Sequence, residues 1–168
     1  MALRSSRVVP ADAVDPARVI DTAMLDFNQR HRRRIVLTTE GGNALMLDLA
    51  VAAALQHGDG LETREKNIVL VKAAPERLLE ITAADPLLMQ RLLWHLGNRH
   101  TPAEITREAA YVTFDHVLAD MVTGLGGSAR EVLRAFQPER GAYAGGGHHH
   151  HHEHDHEHGG HGHPHSHD

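Results

Sequence analysis

Phe114-Asp-His-Val-Leu-Ala-Asp-Met-Val-Thr-Gly-Leu125 carries the cleanest periodicity in the chain. Phe114, Val117, Leu118, Met121, Val122 and Leu125 recur at i, i+3, i+4, i+7, i+8 and i+11, the spacing of one apolar stripe on a helix. Gly126-Gly127 closes it. His116 falls on the opposite, polar side with Thr113, Asp120 and Thr123.

Reading outward in both directions gives a pattern of strands around two helices. Before the stripe, Glu104 to Val112 offers two short strands; after it, Glu131-Val-Leu-Arg-Ala-Phe136 predicts a closing one. Further upstream, Leu78-Leu-Glu-Ile-Thr82 reads as a strand. Asp85-Pro86 then supplies an N-cap followed by proline at the first helical position. Leu88, Met89, Leu92 and Leu93 continue at helical spacing to about Leu96, and Gly97-Asn98 is expected to provide the left-handed end. His95 therefore lies near the helix end and His100 in a turn just beyond it. The order is β-α-β-β-α-β, the split βαβ arrangement of ferredoxin-like domains, and it is predicted over residues 75–144.

Residues 1–74 have a different rhythm, of short strands without a long helix. Arg34-Ile-Val-Leu-Thr-Thr39, Gly41-Gly42 and Ala44-Leu-Met-Leu-Asp-Leu49 predict a hairpin. Gly60-Leu-Glu-Thr-Arg64 and Asn67-Ile-Val-Leu-Val-Lys72 add two more strands. The expectation is a small antiparallel β domain, with Ala50 to Leu55 either a helical turn or a loop. The arginine-rich run Gln29-Arg-His-Arg-Arg-Arg34 reads as a solvated edge strand that resists aggregation. The whole is α+β in class.

The chain has 168 residues, no cysteine and 17 histidines. Without thiolates, any metal chemistry must use nitrogen or oxygen ligands. Histidines 31, 57, 95, 100 and 116 lie in the body, and the other twelve follow Gly147. Residues 145–168 consist of those twelve with Gly, four acids, Pro164 and Ser166, and no side chain there can build a core. That segment is expected to be a disordered histidine-rich tail. Its interleaved carboxylates, as in His152-Glu-His-Asp-His-Glu-His158, distinguish it from a simple affinity tag. His148, His149, His150, His151, His152, His154, His156, His158, His161, His163, His165 and His167 are thus candidate ligands for nickel, copper or zinc.

Without the tail the formal charge is close to neutral, and aromatics are only 4%. Both argue against a nucleic-acid partner. No stretch approaches the roughly 18 consecutive apolar residues of a membrane span, and no signal-peptide pattern opens the chain. A cytoplasmic protein is predicted. Gly124-Leu-Gly-Gly127 lacks the lysine and the preceding strand of a phosphate loop. No serine, lysine or carboxylate pair has catalytic spacing, so no catalytic residue is assigned and a non-enzymatic role is expected.

His95-Leu-Gly-Asn-Arg-His100 followed by Pro102, Asp115-His-Val-Leu118, Phe136-Gln-Pro-Glu-Arg-Gly-Ala-Tyr143 and the histidine-rich end together resemble the UreE family of urease accessory nickel chaperones. Arg34-Ile-Val-Leu-Thr-Thr39 and Asp59-Gly-Leu61 extend the resemblance into the first half. It implies an N-terminal β domain for protein contacts and a homodimer formed through the ferredoxin-like domain. His100 of each protomer would then meet its twin on one Ni2+, with His116 at a position that binds additional metal and His95 as a further candidate. Zn2+ or Cu2+ would suit the same imidazoles. The implied partners are the urease accessory GTPase and its complex with apo-urease. A histidine-rich metal storage or detoxification protein is the alternative.

Overall fold

The computed structural model describes residues 3–140. In the first half, β1 (Leu3–Val9), β2 (Val19–Leu25), β3 (Arg34–Thr38), β4 (Ala44–Asp48), β5 (Gly60–Thr63) and β6 (Ile68–Ala73) form one sheet in the order β2-β6-β5-β1-β4-β3. The predicted hairpin is present, with Arg34 opposite Asp48 and Thr38 opposite Ala44. Alternation explains its faces. Leu37, Leu45 and Leu47 point into a core with Leu25, Leu61, Val69 and Val71, while Val36 and Met46 face outward.

The expected all-antiparallel sheet is corrected to a mixed one. β1 pairs parallel with β4, and β2 parallel with β6. Parallel neighbours cannot be joined by a tight turn and need a crossover, so their pairing depends on contacts far apart in the chain. A register shift between Ser5 and Arg7 breaks the alternation of β1, leaving no period-two signal to read there. Ala50 to Leu55 proves to be irregular chain, and it delivers Leu55, fully buried, to the core.

The arginine-rich run divides in two. β3 is an edge strand as expected, and exposed Arg34 pairs with Asp48 at 2.5 Å. Arg30, however, is not solvated. It ends the one-turn helix α1 (Phe27–Arg30), is 1% exposed, and its guanidinium donates to the carbonyls of Leu55 and Phe136. Carbonyl acceptors replace the lost water, which makes burial of the charge tolerable.

The second half has the expected order: β7 (Pro75–Thr82), α2 (Pro86–Asn98), β8 (Glu104–Ile105), β9 (Ala110–Thr113), α3 (His116–Gly124) and β10 (Ser128–Ala135). The sheet is antiparallel throughout, in the order β10-β7-β9-β8, so β9 lies between the two strands that α2 connects. Asp85 caps α2 by accepting the N–H of Leu88 at 3.0 Å, with Pro86 at the first helical position. Both helices lie on one face, where Leu92, Leu96 and Val122 pack on Leu79, Ile81, Ala110 and Val112.

The stripe that predicted α3 is only partly used. Asp115 caps the helix through the N–H groups of Val117 and Leu118, so Phe114 lies before it, between β9 and α3. Val122 is buried, but Val117 and Leu125 stay exposed. Gly126, at φ 91°, ends the helix as expected. A Cβ on Gly127 would sit 2.7 Å from Leu92 Cδ1 and 2.9 Å from Val122 Cγ1, so a side chain there would force both neighbours to shift.

The two sheets meet at a small joint. Phe136, completely buried just after β10, packs its ring against Phe27 at 5.3 Å while its carbonyl accepts from Arg30. Glu76 accepts the N–H of Phe27 at 2.7 Å and lies 4.0 Å from Arg30. Burial raises the Glu76 carboxyl above its ordinary range, against the pull of the Phe27 hydrogen bond and the nearby guanidinium.

Candidate metal centre

The turn after α2 differs from the expectation in one informative respect. Gly97 and Asn98 stay helical, and the left-handed residue is His100 itself, at φ 53°. Its N–H donates to Gly97 O at 2.9 Å, and that of Thr101 donates to Leu96 O at 3.3 Å. These are the two bonds of a Schellman motif, whose left-handed position glycine ordinarily fills. A side chain there costs about 1–2 kcal/mol, although histidine is among the residues that tolerate it best. The result is an exposed imidazole held on a backbone fixed by two hydrogen bonds.

The other candidates are separately placed. His95 is half-buried in the last turn of α2, its ring edge-on to exposed Trp94 at 5.0 Å. His116 opens α3 beside the Asp115 cap and is exposed, as are Asp120 and Thr123 on the polar side expected for it. Among the described residues, no three His, Asp or Glu side chains converge to hold a metal ion. The tail candidates, His148 to His167, lie outside the described residues.

His100 borders a cleft of about 720 Å³ between the two halves. Phe27, His31 and Gln56 line it from the first half, and His100, Pro102 and Glu139 from the second. The far wall is pinned by β8. Glu104 accepts from Arg134 and from the N–H of Gln137 at 2.8 Å, and Glu139 N donates to Ala103 O at 2.8 Å. His31 sits among arginines, and nothing in that run singles it out as a ligand. Its local signal is the Asp26–Gln29 capping box, which marks a helical turn before the edge strand and makes His31 its C-cap.

Fold and site together define a two-part α+β protein whose histidines, among the described residues, stand on turns and helix ends without a group of three or more side chains that could hold a metal ion. Comparison with known proteins narrows this. The chain belongs to the UreE urease accessory protein family, whose N-terminal domain matches residues 6–74 and whose C-terminal domain matches residues 76–167.

Three relatives, each named urease accessory protein UreE, illustrate the likeness. The Azorhizobium caulinodans protein is 52% identical over 141 residues, covering 84% of this chain and 68% of the relative. That of Rhodopseudomonas palustris strain HaA2 is 52% identical over 124 residues, or 74% and 58%. The Brucella anthropi protein is 40% identical over 146 residues, or 87% and 86%. The chain thus spans about three fifths of the length of the Rhodopseudomonas palustris protein, and the same share of two Bradyrhizobium relatives of that name.

Proposed function

We propose that this protein is a nickel metallochaperone of urease maturation, which gathers Ni2+ on its histidine-rich tail and passes it through His100 to the urease assembly machinery. The observation that carries the reading is the exposed His100 imidazole on its left-handed turn. One imidazole per chain is a poor site, but a twofold axis through this turn would turn it into a pair without any further sequence requirement. Two imidazoles leave coordination positions open, which suits cargo that must leave again, in contrast to the closed four-ligand sites that hold structural metal.

In this reading the chain divides into a protein-contact domain (1–74), a ferredoxin-like metal-binding domain (75–144) and a disordered tail (145–168). The strand order β10-β7-β9-β8 and the helices on one face support the ferredoxin-like assignment. The protein acts as a cytoplasmic homodimer, without catalysis of its own. It hands Ni2+ to the accessory GTPase and its complex with apo-urease. His116 and His95 serve as peripheral ligands, and Zn2+ or Cu2+ compete for the same imidazoles, copper with greater affinity. Among the described residues no helix is long and apolar enough to cross a membrane.

The test is complementation. In a urease-producing host lacking its own copy, the protein should restore urease activity in nickel-limited medium and become dispensable when nickel is plentiful. Resistance to toxic nickel without restored urease would instead identify a storage protein.

A second expectation concerns the tail. Both hydrophobic cores lie within the described residues, and 145–168 contains no large apolar side chain. Removing it should leave the melting temperature of the metal-free protein unchanged while most of the bound metal is lost. A clear fall in melting temperature by circular dichroism would contradict this.

A further inference from the structure

We infer that His31 is a further metal ligand, sharing one divalent transition-metal ion with His100 across the cleft between the two halves. This rests on the reading of His100 as a ligand and adds a residue from the other half of the chain. Three observations carry it.

The first is chemical. His31 Nδ1 lies 2.7 Å from the carbonyl oxygen of Phe27. A carbonyl only accepts, so Nδ1 carries a proton, and in the neutral ring Nε2 keeps its lone pair. Donation of the second ring N–H to a backbone carbonyl is how metal-ligating histidines are commonly oriented and made more basic. His57 shows the opposite arrangement. Its Nδ1 accepts the N–H of Ala73 at 3.3 Å, so in the neutral ring Nε2 carries the proton.

The second observation is mechanical. The His31 ring packs on Phe27 at 4.2 Å between centroids, and Phe27 packs in turn on buried Phe136. The imidazole is exposed, yet it stands on a fixed platform, so less side-chain entropy is lost when it binds. Third, His31 and His100 line the same cleft, one from each half of the chain, with Glu139 also on its border.

Among the described residues no three donors converge there, so the ion would keep water on its remaining positions. Such an ion exchanges readily and is open to an incoming ligand. The cleft thus gives Ni2+ a weak site within one chain, as an alternative to the tighter pairing of two His100 rings, because each neutral His100 ring has a single lone pair to donate.

Diethyl pyrocarbonate, which modifies unprotonated imidazole, tests this on the full chain with Ni2+ alone, each histidine being read by peptide mass spectrometry. Nickel is expected to lower the labelling of His31 and His100 several-fold and to leave His57 unchanged. In His100→Gly, which the left-handed turn accommodates without strain, His31 should become labelled again in the presence of nickel. Protection of His100 with His31 unaffected would overturn the inference and leave the chaperone reading standing. Protection confined to the tail histidines would overturn both. Persistent protection of His31 in His100→Gly would overturn the shared site.

Discussion

Phe136→Ala is expected to destabilise the protein by about 3–5 kcal/mol, the usual cost of removing a fully buried aromatic ring. The ring is 0% exposed and packs on Phe27 across the joint between the two halves. Its loss would leave a cavity beside Arg30, whose guanidinium depends on the Phe136 carbonyl being held in place. Against a typical total of about 5–15 kcal/mol, this is a fifth or more of the stability. At roughly 2–4 °C per kcal/mol for a chain of this size, the melting temperature should fall by about 10 °C. Leu133→Ala is the control. It lies three residues away on β10 but is 71% exposed, and surface changes of this kind usually stay within about 0.5 kcal/mol. Thermal unfolding followed by circular dichroism checks both, and equal losses would mean that Phe136 does not join the halves.

The same joint shows what could be read from residues alone. The β3–β4 hairpin and the start of α2 were legible because their determinants are local. A glycine turn between alternating runs specifies the first, and Asp85 with Pro86 specifies the second. The burial of Arg30 was not legible, because its carbonyl partners are Leu55 and Phe136, 25 and 106 residues away. In sequence it is one arginine among four. β1 and β2 were hidden for a related reason, since parallel pairing with β4 and β6 leaves no turn signature between partners. His100 was recognised as a candidate ligand and placed in a turn, but its backbone was not foreseen. Gly97 looked like the helix terminator, whereas the closing hydrogen bonds shift the left-handed position three residues onward. Reading His31 as part of a basic run obscured its capping position, because an imidazole's tautomer depends on a carbonyl that only the folded turn supplies.

The left-handed backbone of His100 separates two roles that an ordinary substitution would confuse. Alanine removes the imidazole but keeps a Cβ at φ 53°, so a loss of metal could be blamed on a disturbed turn. Glycine removes the imidazole and relieves the strain, which is worth about 1 kcal/mol at such positions. His100→Gly is therefore expected to melt at or slightly above the temperature of the unmodified protein. In a chain shortened after Ala144 it should nonetheless lose its tightest nickel site. Altering residues that merely orient a metal ligand already costs on the order of 10–100-fold in affinity, and removing the ligand itself should cost at least as much. In the chain with its tail, urease activation under nickel limitation should fall accordingly while stability does not. His95→Gln and His116→Gln should weaken binding only modestly, since neither shares the His100 turn. Isothermal titration with Ni2+ beside thermal unfolding gives the two readouts. If His100→Gly gained stability and kept its tight site, His100 would be a helix cap and the metal would be held elsewhere.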